Sequence, residues 1–105
     1  MRKWMVQDRR GREIYLTEER WKHIVEWHDE LDGRLDDVLN TLKQGRRKQE
    51  VRDPQRYRYR YPYDDLLYGY NHIVVVVVFS YRQLPNGSTE SNNFVTTAWG
   101  QYIPE

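Results

Sequence analysis

Gln55-Arg56-Tyr57-Arg58-Tyr59-Arg60-Tyr61 alternates arginine and tyrosine with a period of two. In an extended strand that period sends Arg56, Arg58 and Arg60 to one face and Tyr57, Tyr59 and Tyr61 to the other. The tyrosine face offers amphipathic rings to a helix, while the arginine face offers guanidinium forks to phosphate oxygens. Two readings follow: a half-buried strand whose solvent face is simply arginine, or an open sheet face that binds a polyanion, of which RNA fits best.

Ile73 to Phe79 sets five valines between isoleucine and phenylalanine. A continuous apolar run of that length predicts a central strand covered on both faces. Pro85-Asn86-Gly87-Ser88 marks a turn, and Asn93 to Trp99 reads as the last strand, with Gln101 to Ile103 as an extension. Arg46 to Arg52 reads as the strand before the Arg-Tyr strand, across Asp53-Pro54.

Towards the N-terminus, Trp4 to Gln7 and Glu13 to Leu16 flank Asp8-Arg9-Arg10-Gly11, the pattern of a hairpin. Thr17 is a natural N-cap followed by Glu18 and Glu19, and Trp21, Ile24, Val25 and His28 share one helical face. Asp32-Gly33 ends that helix. A second places Leu35, Val38, Leu39 and Leu42 on one face and stops at Gly45 in the position after its last turn. The expected fold is α+β: a single domain over 1–105, with two N-terminal helices on one face of a four- to five-stranded, mainly antiparallel sheet.

The 105 residues include no cysteine, which excludes disulfides and thiolate metal sites, and no run approaches the length of a membrane helix. No apolar signal core opens the chain, so a soluble cytoplasmic protein is expected. A net charge of +1 hides strong polarisation. Residues 43–60 carry eight basic and two acidic side chains, whereas 17–37 carry three and eight. Arg46, Arg47, Lys48, Arg56, Arg58 and Arg60 lie in the basic segment, where local phosphate neutralisation supplies nucleic-acid affinity even in a nearly neutral protein.

His23 and His28 lie on the first helix, and His72 precedes the valine strand. His28 falls in the apolar stripe, the usual place of a hydrogen-bonded core histidine, and His23 on its flank. A spacing of five turns them about 140° apart on an ideal helix, which suits no shared metal, so neither metal nor cofactor is expected. Thr96 and Thr97 alternate on the last strand, where threonine ordinarily serves β propensity. Histidine, arginine and threonine without metal suit attack of an RNA 2′-hydroxyl on the adjacent phosphorus. Histidine can move the protons, and arginine can stabilise the phosphate charge. Tyr59 or Tyr102 would stack a base if either reached the open face, although parity turns Tyr59 towards the helices.

The helix Thr17-Glu18-Glu19-Arg20-Trp21-Lys22-His23-Ile24-Val25-Glu26-Trp27-His28-Asp29-Glu30-Leu31 resembles the "T-x-E-R-W-x-H-I-x-x-x-H-P-E" opening of small phage and bacterial barnase/EndoU/colicin/RelE-like (BECR-fold) nucleases. Ile73 to Phe79 and Phe94-Val95-Thr96-Thr97-Ala98-Trp99 resemble that group's "V-V-V-K" and "F-V-x-T-A-Y" strands. The resemblance implies a metal-independent endoribonuclease of toxin type, with an antitoxin partner and RNA as substrate, free or on the ribosome. It implies catalytic roles for His23, His28 and Thr97; Arg58 and Arg60 as phosphate clamps rest on the alternation. Asp29 stands where the pattern has proline. Phe79-Ser80 stands where a lysine often ends the valine strand. Two rival readings use the same residues: a non-catalytic RNA-binding module, and a protein-interaction subunit whose acidic helices meet a basic partner.

Overall fold

His72–Val78 is the spine of the molecule, paired antiparallel on both sides and buried from Ile73 to Val77. The computed structural model describes residues 2–104. Their strands are β1 (Lys3–Gln7), β2 (Glu13–Thr17), β3 (Arg46–Gln49), β4 (Arg56–Pro62), β5 (His72–Val78), β6 (Tyr81–Gln83), β7 (Thr89–Ser91) and β8 (Phe94–Gln101). Helices α1 (Glu18–Trp27) and α2 (Leu35–Gln44) follow the first hairpin. Six strands form one curled sheet in the order β1-β2-β8-β5-β4-β3, and β6 and β7 form a separate ribbon.

The α+β class and the mostly antiparallel sheet match expectation; the details differ in three ways. The helices come after a strand pair that joins the sheet, so they sit mid-chain. The described residues form eight strands instead of four or five, and β2 meets β8 in parallel through Tyr15 and Phe94. The Asn86-Gly87 turn, with Gly87 at φ 85°, closes the β6–β7 ribbon, which projects between the two central strands. Every residue of β6 and β7 is exposed, so no apolar alternation announced them.

Local signals account for the helices. The Thr17 side chain accepts from the Arg20 N–H at the start of α1, and Glu18 and Glu19 face the positive end of its dipole. Gly45 ends α2 with an ordinary φ of −71°, so the glycine is not there for a left-handed turn. It is there for space: a Cβ at Gly45 would strike the carbonyl oxygens of Thr41 and Arg60. This contact seats the end of α2 on β4.

One face of the sheet holds the core, where Ile73, Val75, Val77, Val95, Ala98 and Tyr59 meet Val38, Leu39 and Leu42 of α2. Helix α2 lies on β5, β4 and β1, whereas α1 packs on β2 and β8. The two helices therefore cover different strands of the sheet. Helix α1 follows β2 away from β8 after their single bridge and leaves part of the β8 edge without a strand partner. Glu30 fills that gap: its Oε2 accepts the Gly100 N–H at 2.8 Å, so the buried edge amide is not left unsatisfied.

Candidate functional site

Antiparallel register puts directly opposed residues on the same face, and the face opposite α2 carries two cross-strand rows. The first runs Lys48, Arg58, Val76, Thr97; the second runs Arg46, Arg60, Val74, Trp99. Each spans three strand spacings, about 14 Å. Val74 and Val76 stay 4% and 3% exposed although they sit on this face, between Arg60 and Trp99 and between Arg58 and Thr97. The result is a basic surface over an apolar floor. A depression of about 420 Å³ there is lined by Arg46, Lys48, Arg58, Arg60 and Val74, among others.

The arginines on this face are not equivalent. Arg58 Nε donates to Glu50 at 2.6 Å, and its guanidinium lies 5.4 Å from the Trp99 ring centre. Arg56 faces Asp53 at 3.3 Å. Among the described residues no carboxylate lies within ion-pair distance of Arg46, Lys48 or Arg60. Arg47 turns to the other face, where it stacks 3.9 Å from the Tyr57 ring centre. His72 also sits on the open face, opposite Pro62 and Gln101, with Nδ1 2.8 Å from the Asn71 side-chain oxygen.

At the β8 end of the rows a small cleft of about 200 Å³ is lined by Arg20, His23, Ile24, Trp27, His28, Thr96 and Thr97. It brings His23, His28 and Thr97 together, although ideal helix geometry separates the two histidines by about 140°. The reason is the end of α1. Trp27 is its last residue, and His28 caps it at φ −133°, ψ 75°, off the helical path and back towards β8. There its ring is 6.5 Å from that of Trp99, and Nδ1 lies 3.7 Å from Glu30 Oε2.

Thr96 and Thr97 both reach the cleft because β8 bulges beside them. Val76 pairs with Thr97, while Val77 pairs with Val95. Thr96 is the extra residue of the bulge and turns its hydroxyl to the Val76 carbonyl at 3.4 Å.

No family model, no curated protein and no solved structure matches this chain.

Two of the tyrosines considered for stacking part company. Tyr59 is 1% exposed and hydrogen-bonded inside the core, so it cannot receive a base. Tyr102 lies past the end of β8 and is exposed. Trp27, which the sequence did not single out, is 79% exposed at the mouth of the histidine cleft and offers the larger stacking surface. Arg20 was also passed over. It brings a cation into the cleft, where Arg58 is held at one remove by Glu50. Its signal in the sequence was one helical turn, three residues before His23.

Proposed function

We propose that this chain is a metal-independent endoribonuclease that holds single-stranded RNA along its arginine rows and cleaves it at the His23–His28 cleft. The observation that carries this reading is the meeting of two histidines, an arginine and two threonine hydroxyls at one end of a basic sheet face. One histidine removes the 2′-hydroxyl proton as that oxygen attacks phosphorus. The other protonates the 5′-oxygen as its bond to phosphorus breaks, leaving a 2′,3′-cyclic phosphate. Arg20 faces the charge that accumulates on the non-bridging oxygens, and Thr97 positions them by hydrogen bonding. The position where the barnase/EndoU/colicin/RelE-like pattern carries a lysine is then served by Arg20 from the helix. A toxin-type role inside the cell, with an antitoxin partner, belongs to the same reading.

The test is incubation of a labelled mixed-sequence RNA in excess EDTA, beside a fully 2′-deoxy copy and a His23→Ala protein. RNA-only cleavage with a cyclic-phosphate end, lost in the variant, is the expected result. The Arg58–Glu50 ion pair favours a second reading, a non-catalytic RNA-binding module, because it withholds the arginine closest to the cleft along its row. Salt-sensitive binding without cleavage, with or without ribosomes present, would select that reading.

A further inference from the structure

A further concavity lies away from His23 and His28. It is a cleft of about 750 Å³ between the β1–β2 turn and the start of β3, lined by Asp8, Arg9, Arg10, Arg12, Arg46 and Arg47 with Tyr59 at its base. Five arginines and one aspartate line it. The carboxylate is spent on structure. Asp8 Oδ1 accepts the backbone N–H groups of Arg10 at 2.9 Å and Arg12 at 3.0 Å, and Oδ2 accepts Arg12 Nε at 2.8 Å and the Tyr59 hydroxyl at 2.6 Å.

That network holds the turn in one shape and leaves Arg9, Arg10, Arg46 and Arg47 without a carboxylate partner among the described residues. Arg47 also stacks on the Tyr57 and Phe79 rings, and Arg9, Arg10 and Arg46 add like charges around the same concavity that no carboxylate pairs with among the described residues. An anionic ligand would offset them.

The cleft is continuous with the arginine rows. Arg46 lines it, lines the open-face depression with Arg58 and Arg60, and lines a third depression with Arg9, Arg60 and His72. Strand β3 is the sheet edge, so a strand of nucleic acid leaving the open face there passes onto the turn without crossing another element. Resting on the RNA reading above, we propose that the Arg9–Arg10–Arg12 turn is a second phosphate-binding subsite, which takes the RNA backbone after it rounds the β3 edge at Arg46. The turn and the rows then form one track for a strand longer than the histidine cleft alone engages.

Arg9 and Arg10 are exposed, and only the backbone of Arg10 serves Asp8, so an Arg9→Ala/Arg10→Ala protein keeps the network. Its affinity would be measured by fluorescence anisotropy over a salt series, with RNAs of about five and about fifteen nucleotides, a range that spans the site sizes of single-strand binders. The longer RNA is expected to lose about tenfold in affinity. Its slope of log affinity against log salt should fall by about 1.4, two phosphates at roughly 0.7 each. The shorter RNA should change by about twofold or less.

An Arg52→Ala/Arg82→Ala protein, with two exposed charges removed elsewhere, provides the control. Unchanged binding of the long RNA by the Arg9→Ala/Arg10→Ala protein would overturn the subsite and leave the nuclease reading standing. So would equal losses at both lengths, or equal losses in the control. Absence of RNA binding by the wild-type protein would overturn both readings together.

Discussion

The Tyr59 hydroxyl donates to the Asp8 carboxylate across 2.6 Å, and so ties the middle of β4 to the turn that follows β1. These residues stand 51 positions apart. Curling of the sheet brings one edge strand round to the inner face near the other, and this contact latches it. Burial alone would raise the Asp8 carboxyl. Hydrogen bonds from Tyr59, from the Arg12 side chain and from the Arg12 and Arg10 backbone outweigh it and hold the carboxyl below its ordinary value. Burial, reinforced by the hydrogen bond to Asp8, pushes the Tyr59 hydroxyl well above its ordinary value.

Tyr59→Phe removes one donor to a buried carboxylate and should cost about 1.5–3 kcal/mol. Asp8→Asn strips the charge that Arg12 faces and should cost about 2–4 kcal/mol. Urea denaturation measures both. The double variant should cost less than the sum of the two, because both changes delete the same contact.

The same pair sets how stability responds to pH. Asp8 binds its proton more weakly in the folded state, so its contribution is complete above the unfolded value near 3.8 and is lost as pH falls through the lower folded value. Tyr59 binds its proton more tightly when folded. Its contribution is complete below the unfolded value of 10.0 and is lost as pH rises above it. Melting curves across pH should show an acid limb that flattens in Asp8→Asn and an alkaline limb that flattens in Tyr59→Phe. Limbs identical to wild type would remove the linkage.

In the histidine cleft, His23→Ala and His28→Ala should each slow RNA cleavage by about 100- to 10,000-fold, the usual range for a proton-transfer group. Glu30→Gln retains an amide oxygen for the Gly100 N–H but loses the charge beside His28. It should fold normally and cleave about tenfold more slowly. Single-turnover rates separate these effects from binding.

Arg58 is restrained by Glu50, so Glu50→Gln should strengthen RNA binding and steepen its salt dependence by about 0.7, one added phosphate contact. Arg58→Ala should weaken binding. Both groups of the pair reach solvent, so the stability change in Glu50→Gln should stay within about 1 kcal/mol. Anisotropy titration decides the sign.

Gly45→Ala forces a methyl group against two backbone carbonyls that no side-chain rotation can relieve. The expected loss is about 1–3 kcal/mol by thermal denaturation. Gly33→Ala meets no atom within 4 Å and is strained only by its φ of 78°, so it should cost less.

Much of this fold is legible residue by residue. The Arg-Tyr alternation set the two faces of β4, the valine run marked the central strand, and Thr17 and the leucine spacings marked both helices. Each depends on a local period or a single cap, and those act within a few residues. Where His28 points was not legible because a helical wheel assumes the helix continues, and α1 stops at Trp27. The β8 bulge that turns both threonines to the cleft is a register event between strands and leaves no mark on either strand alone. The arginine cleft was hidden for the same kind of reason. Arg9, Arg10 and Arg12 lie more than thirty residues from Arg46 in the chain. Composition and periodicity by themselves determined which faces are apolar and which are charged, because hydrophobic burial and backbone geometry act locally. Which charges meet was decided only when the sheet curled and carried the β1–β2 turn onto the start of β3, because electrostatic fields depend on distance in space and not along the chain.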